Sequence, residues 1–123
     1  MVRCGIRVVQ HRGNEFAQLA VLQGRTSARA CVGNVYMPST GNLPRRSLTE
    51  SILREKVEAI LGSIPADVPA VLCGDFNART AEHAPTVNDA VLHRSSADLT
   101  CCPHGKWFLE QCSLLGLYIY NGL

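Results

Sequence analysis

The stretch from Leu48 to Ile64 limits the possible folds most, because its apolar residues recur at helical spacing and it stands between two short apolar runs. Leu48, Ile52, Leu53, Val57, Ile60, Leu61 and Ile64 form one stripe, while Arg54, Glu55, Lys56 and Glu58 fall largely on the other side. Such a helix buries one face against a sheet. Ser47 followed by Glu50 reads as a capping box at its start, and Pro65 stops it. Before the helix, Ala30 to Met37 reads as a strand. After it, Ala70 to Cys73 behind Pro69 reads as a second. Strand, helix, strand is a crossover between parallel neighbours, so the organisation is α/β. The unbroken apolar run of Ala70 to Cys73 predicts an interior strand, covered on both faces and crossed by the helix.

The remaining elements follow from local signals. Gly5 to Gln10 and Phe16 to Gln23 read as a hairpin turning at His11 to Asn14, and Pro38 to Pro44 is a loop. Thr80 to Cys102 is polar and aperiodic. A loop of that length is usually functional or disordered, and this one is expected to be mobile. Gly105 to Gly116 predicts a second helix with Phe108, Cys112 and Leu115 on one stripe and Trp107 as an anchor. Leu117 to Asn121 alternates Leu117 and Ile119 against Tyr118 and Tyr120, as a closing strand does.

Composition narrows the class. With 123 residues, 46% of them hydrophobic and 18% charged, the chain has enough apolar material for one globular piece. A net charge of +2 and a pI of about 8.3 are too mild to signal nucleic-acid binding unaided. No apolar run approaches the roughly 18 residues that span a bilayer, and the start lacks the apolar segment of a secretory signal. The expectation is a soluble intracellular protein without a membrane partner, nuclear and cytoplasmic locations being equally open. The six cysteines show no framework spacing, and Cys31, Cys73 and Cys112 sit in apolar runs that suit free thiols. Cys101, Cys102, His104 and Cys112 contain no CxxC pair, so a thiol cluster in a loop is the reading favoured over a zinc site.

The chemistry concentrates where the Ala70 run ends. Gly74 breaks it, and Asp75 and Asn77 follow two apart, a spacing that on an extended backbone puts an acidic acceptor and an amide on one face about 6.6 Å apart. Such a pair can hold a water or a phosphate. Asp after Gly also closes simple turns, and Tyr36 alone is an ordinary strand aromatic.

Gly74-Asp75-Phe76-Asn77-Ala78 resembles the GDFNA signature of the endonuclease/exonuclease/phosphatase superfamily of Mg²⁺-dependent phosphoesterases. Upstream, Gly33-Asn34-Val35-Tyr36-Met37-Pro38 is similar to the family strand that ends in an active-site tyrosine followed by proline. His93 to Asp98, Gly105 to Cys112 and Leu117 to Gly122 are similar to the retrotransposon branch, which accompanies the reverse transcriptases of LINE-like elements. The resemblance spans roughly residues 5 to 122.

What the resemblance implies is specific. The fold would be part of a two-sheet α/β sandwich truncated at both ends, since such domains run nearer roughly 200 to 250 residues. Residues 1 to 123 would be a partial domain without the metal-binding glutamate that precedes the hairpin or the aspartate-histidine pair that follows the last strand. Asp75 would orient or deprotonate the attacking water, Asn77 would bond the phosphate or that water, and Tyr36 would offer its hydroxyl to the phosphate. Arg79 is a weaker phosphate contact, weighed against solvated charge, as Arg45 and Arg46 are. The expected cofactor is Mg²⁺, with an incomplete site to which Asp75 contributes weakly. DNA and a reverse transcriptase are the expected partners of the full-length relative. The reading is a fragment of a DNA-nicking endonuclease, inactive by itself. A non-catalytic remnant with a structural or binding role, and a phosphatase for a small molecule or lipid head group, remain as alternatives.

Overall fold

Asn14 turns the first hairpin: its Oδ1 accepts from the N–H groups of Phe16 and Ala17, each at 2.9 Å, while its own N–H donates to the Ala17 carbonyl at 2.8 Å. This is the local side-chain turn that asparagine favours. It joins β1 (Arg7–Gly13) to β2 (Ala17–Gln23), so His11 to Gly13, expected in the turn, belong to the strand. The computed structural model describes residues 5–39 and 49–120, a mixed α/β chain that divides after Asp75 into two compact units.

In the first unit, β2 pairs antiparallel with β3 (Arg29–Tyr36), and β3 pairs parallel with β4 (Ala70–Asp75), giving the order β1-β2-β3-β4. The alternating burial of β3 turns Cys31, Gly33 and Val35 inward and Val32, Asn34 and Tyr36 outward. The connecting helix, α1 (Glu50–Leu61), starts at Thr49, whose hydroxyl accepts from the Ile52 N–H at 3.3 Å. Thr49 therefore supplies the cap on the described helix, and Ser47 lies outside the described residues. The helix ends before Pro65, in turns that close Ser63 on Ile60 and Ile64 on Leu61. Leu53, Val57 and Leu61 are its buried stripe, and it packs chiefly on β2.

The core forms where Ile60 and Ile64 meet Leu19, Val21, Cys31 and Val68, with Ala70 and Leu72 of β4 against the same cluster. The expectation of an interior β4 is overturned. Among the described residues it is an edge strand, and Val71 is 60% exposed. An apolar run marks β preference without counting neighbours, so one face of β4 is packed and its outer side is not.

The second unit contains β5 (Thr86–Val87), β6 (Ala90–Val91) and α2 (Pro103–Leu115). Asn88 and Asp89, with φ of 49° and 62°, make the two-residue turn between β5 and β6. Thr80 pairs with Cys101, and Arg94 donates to the Thr80 hydroxyl and to the carbonyls of Ala81 and His83. The stretch read as a featureless loop is thus organised. Trp107 is buried in α2, its ring 5.0 Å from that of His104, as an anchor should be. Gly116, at φ 67°, is the left-handed cap ending α2. Leu117 to Tyr120 form no strand, contrary to their alternation. Alternation makes a strand only where a neighbouring ladder satisfies the backbone. Among the described residues, no helix is long and apolar enough to cross a membrane.

Candidate functional site

The two motif residues Tyr36 and Asp75 are partners in the parallel register of β3 and β4, so residues far apart in sequence end side by side. The position is locked from both sides. The Tyr36 N–H donates to the Phe16 carbonyl at 2.8 Å, and the Met37 N–H donates to the Asp75 carbonyl at 2.8 Å. Tyr36 is 55% exposed, and Asp75 is exposed. A hydroxyl and a carboxylate are thereby presented to solvent at the same end of two adjacent strands.

Gly74 is what lets Asp75 reach this position. Its φ is 132°, and a Cβ there would lie 1.9 Å from the Val35 carbonyl oxygen. The chain after Asp75 departs from the expectation. β4 ends at Asp75 and Asn77 has a left-handed φ of 46°, so the alternation that would put Asp75 and Asn77 on one face does not extend to residue 77. The first unit contains Tyr36 and Asp75; Asn77 and Arg79 belong to the second.

Within the second unit Arg79 is engaged by Asp98: Nε donates to Oδ2 at 2.8 Å and Nη2 to Oδ1 at 2.7 Å. This two-pronged pair matches the planar guanidinium to the carboxylate. A phosphate contact by Arg79 would compete with it. The hydrogen bond from Arg79, helped by the Thr100 N–H, lowers the Asp98 carboxyl from its ordinary 3.8 to about 2. The folded value lies below the ordinary one, so the pair's contribution is present above about pH 4 and is lost as the pH falls towards 2. A carboxyl NMR titration of Asp98 should accordingly show a midpoint near 2, moving towards 3.8 in Arg79→Ala. A midpoint near 3.8 in the unsubstituted protein would mean that the pair does not persist in solution.

Cys102 caps α2, its sulfur accepting from the Gly105 N–H at 3.3 Å. Burial works to raise its pKa, but backbone hydrogen bonds around the helix start outweigh that and leave the thiol lowered. Cys112, buried among apolar side chains, is pushed up to about 12 by burial. The described cysteines, Cys31, Cys73, Cys101, Cys102 and Cys112, are free. Among the described residues, no group of three or more His, Cys, Asp or Glu side chains could hold a metal ion.

Sequence reasoning placed Tyr36 and Asp75 but missed two features beside the site residues. Asp98 stood in a quoted motif without a role, and its 19-residue separation from Arg79 gave no local signal. Cys102 is an unusual cap, since the residues that normally announce a helix start are Ser, Thr, Asp and Asn. The chain matches no protein-family model, no curated protein and no solved structure.

Proposed function

We propose that the chain is the central part of a Mg²⁺-dependent, phosphodiester-cleaving endonuclease of the endonuclease/exonuclease/phosphatase superfamily, allied to the retroelement enzymes that nick DNA. The observation that carries this reading is the register that sets Tyr36 beside Asp75, because two motifs recognised separately in the sequence meet at one sheet end. The full domain on this reading is a two-sheet sandwich to which the described four-stranded sheet contributes one layer. DNA is the substrate, and a reverse transcriptase is the associated partner.

Cleavage needs an in-line water, charge stabilisation on the non-bridging oxygens and help for the leaving oxygen. In the proposed roles Asp75 orients or deprotonates the water, and the Tyr36 hydroxyl donates to a phosphate oxygen. Mg²⁺ takes one or two carboxylates with phosphate oxygens and waters. Among the described residues, no group of three or more His, Cys, Asp or Glu side chains could hold a metal ion, so these roles are those of the side chains alone.

A plasmid-nicking assay with Mg²⁺ tests the proposal on two proteins: the 123-residue chain, and that chain joined to its flanking coding sequence. The shorter should show no turnover above background, since catalytic groups acting as a unit lose nearly everything when one is missing. The longer should nick, and Asp75→Asn should slow it about a hundredfold or more. Nicking unchanged by Asp75→Asn, or none in the longer protein, would overturn the proposal.

A further inference from the structure

Two adjacent thiols stand at the start of α2, and the fold holds them differently. Cys102 is partly exposed; its sulfur accepts from the Gly105 N–H at 3.3 Å, and its own N–H donates to the Arg79 carbonyl at 3.0 Å. Cys101, also partly exposed, is held by its bridge to Thr80, with its sulfur 4.0 Å from the Cys102 carbonyl oxygen. Burial works against the Cys102 thiolate, but the backbone hydrogen bonds around it outweigh that, and the Arg79 guanidinium lies near enough for its charge to act on the sulfur. An accessible sulfur set among donors and a cation is the setting of reactive cysteines. Cys112 is the contrast, buried in α2 and pushed up to about 12.

We infer that Cys101 and Cys102 form a reversible dithiol site for hydroperoxides, whose oxidation to a disulfide uncaps α2. The inference is independent of the phosphodiesterase reading. The Cys102 sulfur attacks the peroxide, an S–O bond forming as the O–O bond breaks, which leaves a sulfenic acid and releases water or an alcohol. The Cys101 sulfur then attacks that of Cys102: the S–S bond forms, the S–O bond breaks, and the Cys101 proton leaves with the hydroxide as water. Two electrons pass from the thiols to the peroxide. The peptide between them is trans, so their Cα atoms are about 3.8 Å apart, closer than the roughly 4.4 to 6.8 Å of ordinary disulfides. The bond is therefore strained and easily reduced, as reversible disulfides are. Forming it draws the Cys102 sulfur from the Gly105 N–H, and the first turn of α2 loses its cap.

The test treats the 123-residue chain with hydrogen peroxide and follows it by peptide mass and amide exchange. Trypsin releases residues 95–106 with Cys101 and Cys102 as their only cysteines. That peptide should become lighter by two hydrogens, and dithiothreitol should restore it. In Cys101→Ser it should instead gain one oxygen at Cys102, trapped by dimedone, at least about tenfold faster than Cys112 reacts. Oxidation of the unsubstituted chain should quicken exchange at the Gly105 amide about threefold to tenfold, the worth of one helix cap. Cys102→Ser keeps a capping oxygen, so it should fold and show no such change with peroxide. Three results overturn the inference: peptide 95–106 stays unmodified while other cysteines oxidise, the unsubstituted chain stops at the sulfenic acid, or the disulfide forms without a change at Gly105.

Discussion

Gly74→Ala should destabilise the first unit by roughly 3 to 5 kcal/mol, as the sum of an unfavourable backbone region and overpacking. The added Cβ would sit 1.9 Å from the Val35 oxygen, on backbone held in the β3–β4 ladder, so no side-chain rotation relieves the clash. Either the ladder opens or residue 74 leaves its φ of 132°, and both separate Asp75 from Tyr36. Hydrogen exchange should therefore quicken at the amides that bond β3 to β4, and the urea midpoint should fall. Unchanged protection in Gly74→Ala would show that the close approach is absent in solution.

Gly105→Ala should destabilise the second unit somewhat less, but still against the usual helix preference. Alanine in a helix gains about 1 kcal/mol over glycine. Here its Cβ would lie 1.9 Å from the Arg79 carbonyl oxygen, which already accepts from the Cys102 N–H at 3.0 Å. Moving that carbonyl breaks the bond and loosens the start of α2, at a net cost of about 2 to 4 kcal/mol. Trp107 gives a convenient readout, being the chain's one tryptophan, two residues on and buried. Its emission should shift to the red and its urea transition to lower concentration. A stabilised Gly105→Ala would mean that propensity outweighs the contact and that α2 does not pack against Arg79 as described.

Strong periodicity made the larger elements legible. The stripe of Leu53, Val57 and Leu61 gave α1, Ala30 to Met37 read as the strand that became β3, and Gly116 marked the end of α2. The β5–β6 hairpin escaped because two-residue strands have no period, although Asn88-Asp89 was a usable turn signal. Leu117 to Tyr120 misled in the opposite sense, with alternation but no strand.

The candidate site divides in the same way. The two motifs of the resemblance singled out Tyr36 and Asp75, and Gly74 marked where the apolar run ends. Adjacency was a different matter. Tyr36 and Asp75 meet only through the β3–β4 register, a long-range pairing that periodicity cannot specify. The capture of Arg79 by Asp98 likewise depends on a partner distant in sequence. The sequence by itself determined which segments prefer helix or strand and which functional groups the chain has to offer, since both are local properties of side chains. The tertiary structure alone decided which strand lies at the edge, which residues stand next to one another and which charges are already paired, since these depend on contacts between distant parts of the chain.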